Sequence, residues 1–378
     1  MLIRVERNLI PVNGYTRSIL YKYRAPQITL LDSRPSVIMP SILSINQNWS
    51  FTQVGGGEAN ADGEWIPVSQ FPTSTHAELV KLKKIPDPFV GLHEWDVQWL
   101  GEAVWAFKTT FDVTEKELAE PNVDLVFEGL DTNAIVELNG HKLAETNNMF
   151  VSYRLPAKEH LKVGPNDLLL TFPSSYLIGK ELEATHGKGA LWNGDSSRLH
   201  VRTAQYRYGW DWGPVLLTTG PWKPVYLEAY NVRIDDLRVS TKVDESLAAV
   251  IDVSIVLSSE VSAKASVVLK DVSGKALKTA DINISKGKGL TSFEAKAGEL
   301  ELWWPVGYGK QVLHAVDVQI ADEGGKSLDS KTQKIGVRRL RIVQDPLEGE
   351  EGRSFLFEVN NVRIFCGGRS YPLMIPSW

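Results

Sequence analysis

At 378 residues the chain is long enough for two or three domains that each bury a core, so its stability needs no covalent staples. The single cysteine, Cys366, excludes an internal disulfide and a cysteine-built metal centre, and fits a reducing compartment such as the cytoplasm better than a secreted one. A net charge of −5 with scattered Lys and Arg argues against a nucleic-acid partner, and no run approaches the ~18 apolar residues of a membrane span.

Residues 1–43 follow neither the helical nor the strand period and end in "SRPSVIMPS"; they read as a poorly ordered or artefactual extension. The opening "MLIRVERNLIPVNGYTRSIL" has charges and a proline where a secretory core needs a continuous apolar run. Asn48-Trp49-Ser50 and Asn283-Ile284-Ser285 fit the glycosylation acceptor pattern and read as chance matches.

From residue 44 to about 230 the segments are short, rich in Val, Phe, Thr and Leu, and punctuated by Gly, Pro and Asn-Gly, which predicts an all-β domain. Asn139-Gly140, between "AIVEL" and "HKLAE", predicts a tight hairpin. Only "STHAELVKLKK" and "GKELEATHG" read as helices. The stretch "IPDPFVGLHEWDVQW", with Glu94 and Asp96, reads as a rigid surface loop leading into a strand.

Residues 231–338 repeat the β signature at the spacing of a seven-stranded sandwich, with fewer aromatics, as in a supporting domain. Within them "ELWWPVGYGKQ" reads, like the 85–99 stretch, as a rigid surface loop leading into a strand; two adjacent indoles cannot share a face of a strand, so one is expected to pack on a neighbouring domain. In residues 339–378, Asn360-Asn361 predicts a hairpin turn followed by a buried strand "VRIFCGG".

Chemistry is sparse by motif. No phosphate loop, H-E-x-x-H pair or G-x-S-x-G elbow is present, the seven histidines are dispersed, and no cofactor or metal is expected. Twelve tryptophans serve first as core fillers and second as sugar platforms. The densest cluster is "YRYGWDWGP", residues 206–214, where Asp211 lies between Trp210 and Trp212. Two readings stay open: a sheet edge with both indoles inward, or an acid on a turn facing a ligand.

Four separated stretches, "IPDPFVGLHEWDVQWLGEAVWAFKTTF", "FEGLDTNAIVELNG", "WNGDSSRLHVRTAQYRYGWDWGPVLLTTGPWKPVYLEAY" and "LWWPVGYGKQ", agree in order and spacing with one family. The chain resembles the β-mannosidases of glycoside hydrolase family 2, most closely the intracellular fungal type, over about residues 45–368. The resemblance implies a galactose-binding-like jelly-roll (44–230), an immunoglobulin-like sandwich (231–338) and the truncated start of a (β/α)8 catalytic barrel (339–378). It also implies that Asp211 accepts hydrogen bonds from sugar hydroxyls while Trp210 walls the pocket of a β-mannoside oligosaccharide.

The implied chemistry is retaining hydrolysis of terminal β-mannosides by two glutamates roughly 5–5.5 Å apart. In the family both lie on later barrel strands, so neither is assigned here, and Glu94 and Glu102 are not put in their place. Similarity stops at Arg369, which suggests a frameshifted or mis-spliced reading frame and a chain inactive by itself. The apolar surface of "ELWWP" and "VRIFCGG" is then expected to be exposed. The alternative is a non-catalytic, lectin-like protein that binds sugar through the Trp210–Trp212 loop; the oligomeric state is left open.

Overall fold

The computed structural model describes residues 40–56, 63–210 and 213–366. In chain order the first domain holds β1 (Ser41–Ser44), β2 (Ser50–Gly55), β3 (Ile66–Pro67), β4 (Val104–Val113), β5 (Asn122–Phe127), β6 (Asn133–Leu138), β7 (His141–Asn147), β8 (Tyr153–Pro156), β9 (Gly164–Phe172), β10 (Tyr208–Trp210), β11 (Gly213–Val215) and β12 (Val225–Tyr230). They form a four-stranded sheet, β1-β12-β5-β8, facing a six-stranded one, β3-β2-β4-β9-β6-β7, with β10 and β11 as a separate hairpin.

Alternation in the sequence becomes the two faces of each sheet. In β9, "GPNDLLLTF", the side chains of Leu168, Leu170 and Phe172 point into the core, where they meet Phe51, Phe107 and Phe127 from other strands. β6 and β7 meet at Asn139-Gly140, both at positive φ (51° and 79°), the backbone of a tight primed turn. The fold begins slightly before residue 44, because Ser41–Ser44 pairs with β12 along its whole length.

Helices are few: α1 (Thr75–Lys81), α2 (His93–Asp96), α3 (Glu115–Ala119) and α4 (Ser175–His186). The two predicted ones appear as α1 and α4. The two single-turn helices were not anticipated, since neither has an apolar face. α3 rests instead on a capping box, in which Thr114 and Glu117 satisfy each other's exposed groups.

The second domain is a sandwich of seven strands: β13 (Ile234–Val243), β14 (Ala249–Leu257), β15 (Ala263–Lys270), β16 (Ala276–Ile284), β17 (Lys288–Ala295), β18 (His314–Ala321) and β19 (Ser327–Ile335). Sheets β13-β14-β17 and β16-β15-β18-β19 enclose a core to which "AVIDVSIVL" contributes every second residue from Ala249 to Leu257. Asp329 fastens its start, accepting from Ile234 N at 2.7 Å.

β20 (Leu340–Val343), β21 (Leu356–Val359) and β22 (Val362–Ile364) form an antiparallel sheet with Asn360-Asn361 at the last turn. The buried strand expected here is replaced by an exposed one, in line with the exposed apolar surface also expected of it. The strand at "VRIFCGG" is mostly exposed: Ile364 is buried, but Val362, Phe365 and Cys366 are not, because no second layer of described residues covers them. "ELWWP" lies in a loop, with Pro305 and Gly307 breaking any ladder. Trp303 donates its backbone N–H to Val337 O at 2.8 Å and lies under the Arg338 guanidinium, while Trp304 folds over Gly309 of its own loop. The antiparallel sheet of residues 340–364 is not in itself a (β/α)8 barrel start.

Candidate functional site

β10 and β11 pair with Tyr208 opposite Val215 and Trp210 opposite Gly213. Asp211 and Trp212 themselves lie outside the described residues. Trp210 is half exposed on the hairpin flank. Gly209 is fixed by geometry: its φ is 75°, and a Cβ there would sit 2.8 Å from Val215 Cγ2 and 3.0 Å from Gly213 O. Gly209→Ala is therefore expected to cost about 1–3 kcal/mol and to loosen the hairpin, measurable as lost protection of its amides in hydrogen exchange.

Both legs of this hairpin are tied down. At its base the buried guanidinium of Arg207 donates to Asp131 Oδ1 at 2.5 Å and Thr132 Oγ1 at 3.2 Å, and also bonds to Thr203 Oγ1 and Thr218 O. Asp131 in turn accepts from Thr218 Oγ1 at 2.9 Å and Thr203 Oγ1 at 3.2 Å. On the other leg, Val215 N donates to Glu94 Oε1 at 2.7 Å, and Val215 O accepts from Gln98 Nε2 at 2.9 Å. The segment read as a surface loop thus holds a single-turn helix whose Glu94, with Gln98 of the 3-10 turn after it, clamps one residue of the hairpin.

A third segment, "WNGDSSRL", closes the site. Asp195 caps the short helix Ser196–His200, accepting from Ser197 N at 2.9 Å, and pairs with Lys180 of α4 at 2.7 Å. Burial opposes its ionisation, but the Lys180 ammonium and the Ser197 donors prevail and hold the carboxyl down to about 2. The loop thereby holds Asn193 and Gly194 at the cleft edge.

The three segments, far apart in sequence, enclose an open cleft of about 580 Å³ lined by Glu94, Trp95, Asn193, Tyr208 and Trp210. Two exposed indoles with a carboxylate and an amide between them suit a polyhydroxylated ring: flat faces for its C–H groups, acceptors and donors for its hydroxyls. Among the described residues no three His, Cys, Asp or Glu side chains converge as metal ligands. No helix among them is long and apolar enough to cross a membrane. Trp210, given a pocket-wall role by the resemblance, lines this cleft; Glu94, Gln98, Asp131 and Arg207 were not assigned there. The nearest signal was the density of polar residues in "HEWDVQW".

Residues 49–223 match the model described as glycosyl hydrolase 2 galactose-binding domain-like, and residues 232–338 that of glycosyl hydrolases family 2. The chain is 42% identical over 340 residues to beta-mannosidase B of Thermothelomyces thermophilus, covering 89% of this chain and 38% of that protein. With beta-mannosidase B of Aspergillus terreus the figures are 36% over 330 residues, 86% and 38%. The chain thus spans well under half the length of these relatives. Among solved structures, the beta-D-mannosidase of Dictyoglomus thermophilum superposes with a TM-score of 0.76 at 30% identity, over 87% of this chain and 40% of that one. A putative beta-galactosidase from Bacteroides fragilis (TM-score 0.58, 17% identity, 86% and 44% covered) shares the fold alone.

Proposed function

Since the chain belongs to glycosyl hydrolase family 2 through its two β-sandwich domains, we propose that it serves the hydrolysis of terminal β-D-mannose residues by supplying one wall of the mannose pocket. The observation that carries this reading is the convergence of residues from 88–95, 193–194, 208–210 and 213–215 on one indole-lined cleft. Relatives 42% and 36% identical to the chain bear the name beta-mannosidase B. In this reading Trp210 stacks on the sugar and Asp211 accepts two of its hydroxyls through charge-assisted bonds.

Bond cleavage follows the two-carboxyl retaining scheme: one glutamic acid protonates the leaving oxygen, the other forms the glycosyl intermediate that water releases. The wall described here orients the ring and excludes water from one side of it, which is where binding energy is turned into rate. The lone cysteine supports a reducing compartment such as the cytoplasm.

Ligand-observed NMR titration with methyl β-D-mannopyranoside tests the reading. Binding that weakens by about tenfold or more in Trp210→Ala and in Asp211→Ala is the expected result. Equal affinity in the unaltered chain and both variants would remove the cleft from the function.

A further inference from the structure

Glu94 has an unspent half. Its Oε1 is taken by Val215 N, whereas Oε2 has no hydrogen-bond partner among the described residues, although the side chain lines the cleft beside Trp95 and Trp210. A carboxylate offers about four acceptor positions, so one oxygen anchoring the hairpin leaves real capacity on the other. The surroundings do not neutralise it. No Lys, Arg or His is among the described residues lining the cleft, and Arg198 lies buried behind Gly194.

We propose that Glu94 is a specificity-determining residue of this cleft: Oε2 accepts a hydroxyl of a neutral hexoside, and the uncompensated charge turns away sugars that carry a carboxylate, the uronides. The inference rests on the sugar-binding reading above and adds a residue and a selectivity to it. An ionised acceptor strengthens a bond from a sugar hydroxyl, and a second carboxylate placed opposite it meets like-charge repulsion with no cation to offset it. Because Oε1 and Gln98 fix the Val215 backbone from both sides, the free oxygen is held in place rather than searching among rotamers.

The experiment uses the full chain and two probes, methyl β-D-mannopyranoside and its C6 carboxylate, the corresponding mannuronide, titrated by ligand-observed NMR. Glu94→Gln is the informative variant: its amide oxygen can still accept from Val215 N, while the free acceptor becomes a neutral donor. The unaltered chain is expected to favour the neutral glycoside by at least about tenfold, and Glu94→Gln to weaken that ligand by about tenfold while shrinking the preference to within about threefold. Gln98→Leu, which loosens the hairpin without touching the charge, is expected to weaken both ligands and keep their ratio.

If Glu94→Gln leaves affinity and ratio unchanged while Trp210→Ala abolishes binding, the assignment of Glu94 falls and the sugar-binding reading stands. If Trp210→Ala also changes nothing, or the unaltered chain binds neither ligand, both fall together.

Discussion

Asp131→Ala is expected to destabilise the first domain by about 3–5 kcal/mol, more than truncating an ordinary surface acid by a wide margin. Asp131 and Arg207 are both almost wholly buried, and the aspartate accepts from Arg207, Thr132, Thr203 and Thr218. Removing it leaves a guanidinium in the interior with hydroxyl and carbonyl partners but no countercharge, and strands three hydroxyls. The damage should reach the site, because the Arg207 carbonyl accepts from Leu216 N at 2.9 Å and the hairpin begins at the next residue.

Urea unfolding followed by tryptophan emission measures the cost, read on the transition of the first sandwich since the two domains can unfold separately. Asp131→Ala combined with Arg207→Met supplies the control. Without the orphaned charge the double variant should be less destabilised than the sum of the singles, by about 1–3 kcal/mol. A cost below about 1 kcal/mol for Asp131→Ala would mean that water reaches the guanidinium and that the pair does not hold the hairpin base.

The distance over which each feature acts decides how much of it the sequence makes legible. Alternation in "GPNDLLLTF" and "AVIDVSIVL" is a local property, and so is the Asn139-Gly140 turn; both strands and turn stand where their residues place them. The two sandwiches follow, because seven or more such segments have no other way to bury their apolar faces. "ELWWP" is legible as a loop for the same local reason: Pro305 and the glycines after it leave no ladder to join. α3 left a signal that periodicity misses, the Thr114–Glu117 spacing of a capping box.

The site divides along the same line. The Trp210–Trp212 motif is contiguous and could be singled out, and the resemblance gave its residues roles. What positions it could not be read: Glu94 and Val215 are 121 positions apart, Arg207 and Asp131 are 76 apart, and nothing in either neighbourhood specifies the other. Such contacts come into being only when the sheets have packed. In "HEWDVQW" a loop reading and a clamp reading use the same polar residues, and only tertiary geometry separates them.

Acid should unfold the first domain through His76, at a pH where most carboxylates are still ionised. His76 is buried in the first turn of α1, which is fastened beneath the 218–221 segment by Thr75 N to Thr219 O at 2.9 Å and Thr73 N to Pro221 O at 3.0 Å. Burial, aided by the nearby Arg207 charge, lowers its pKa from 6.5 to about 3. The sign follows from which state takes the proton. Below pH 6.5 the unfolded imidazole is protonated while the folded one stays neutral, so stability falls as pH falls and the loss ends only near pH 3, where the folded group also titrates. One such group sets a limiting slope of about 1.4 kcal/mol per pH unit. Against a typical stability of roughly 5–15 kcal/mol, two pH units remove a substantial share. Denaturant unfolding at pH 7, 6 and 5, compared between the native chain and His76→Gln, isolates this contribution from the carboxylates that both share. The native chain should lose stability more steeply than the variant by up to about 1.4 kcal/mol per unit below pH 6, whatever constant offset the substitution introduces. Parallel pH dependences would mean that His76 takes up its proton in the folded state, with α1 yielding enough to hydrate it. The hairpin base could not then be the dry layer on which the placement of Trp210 depends.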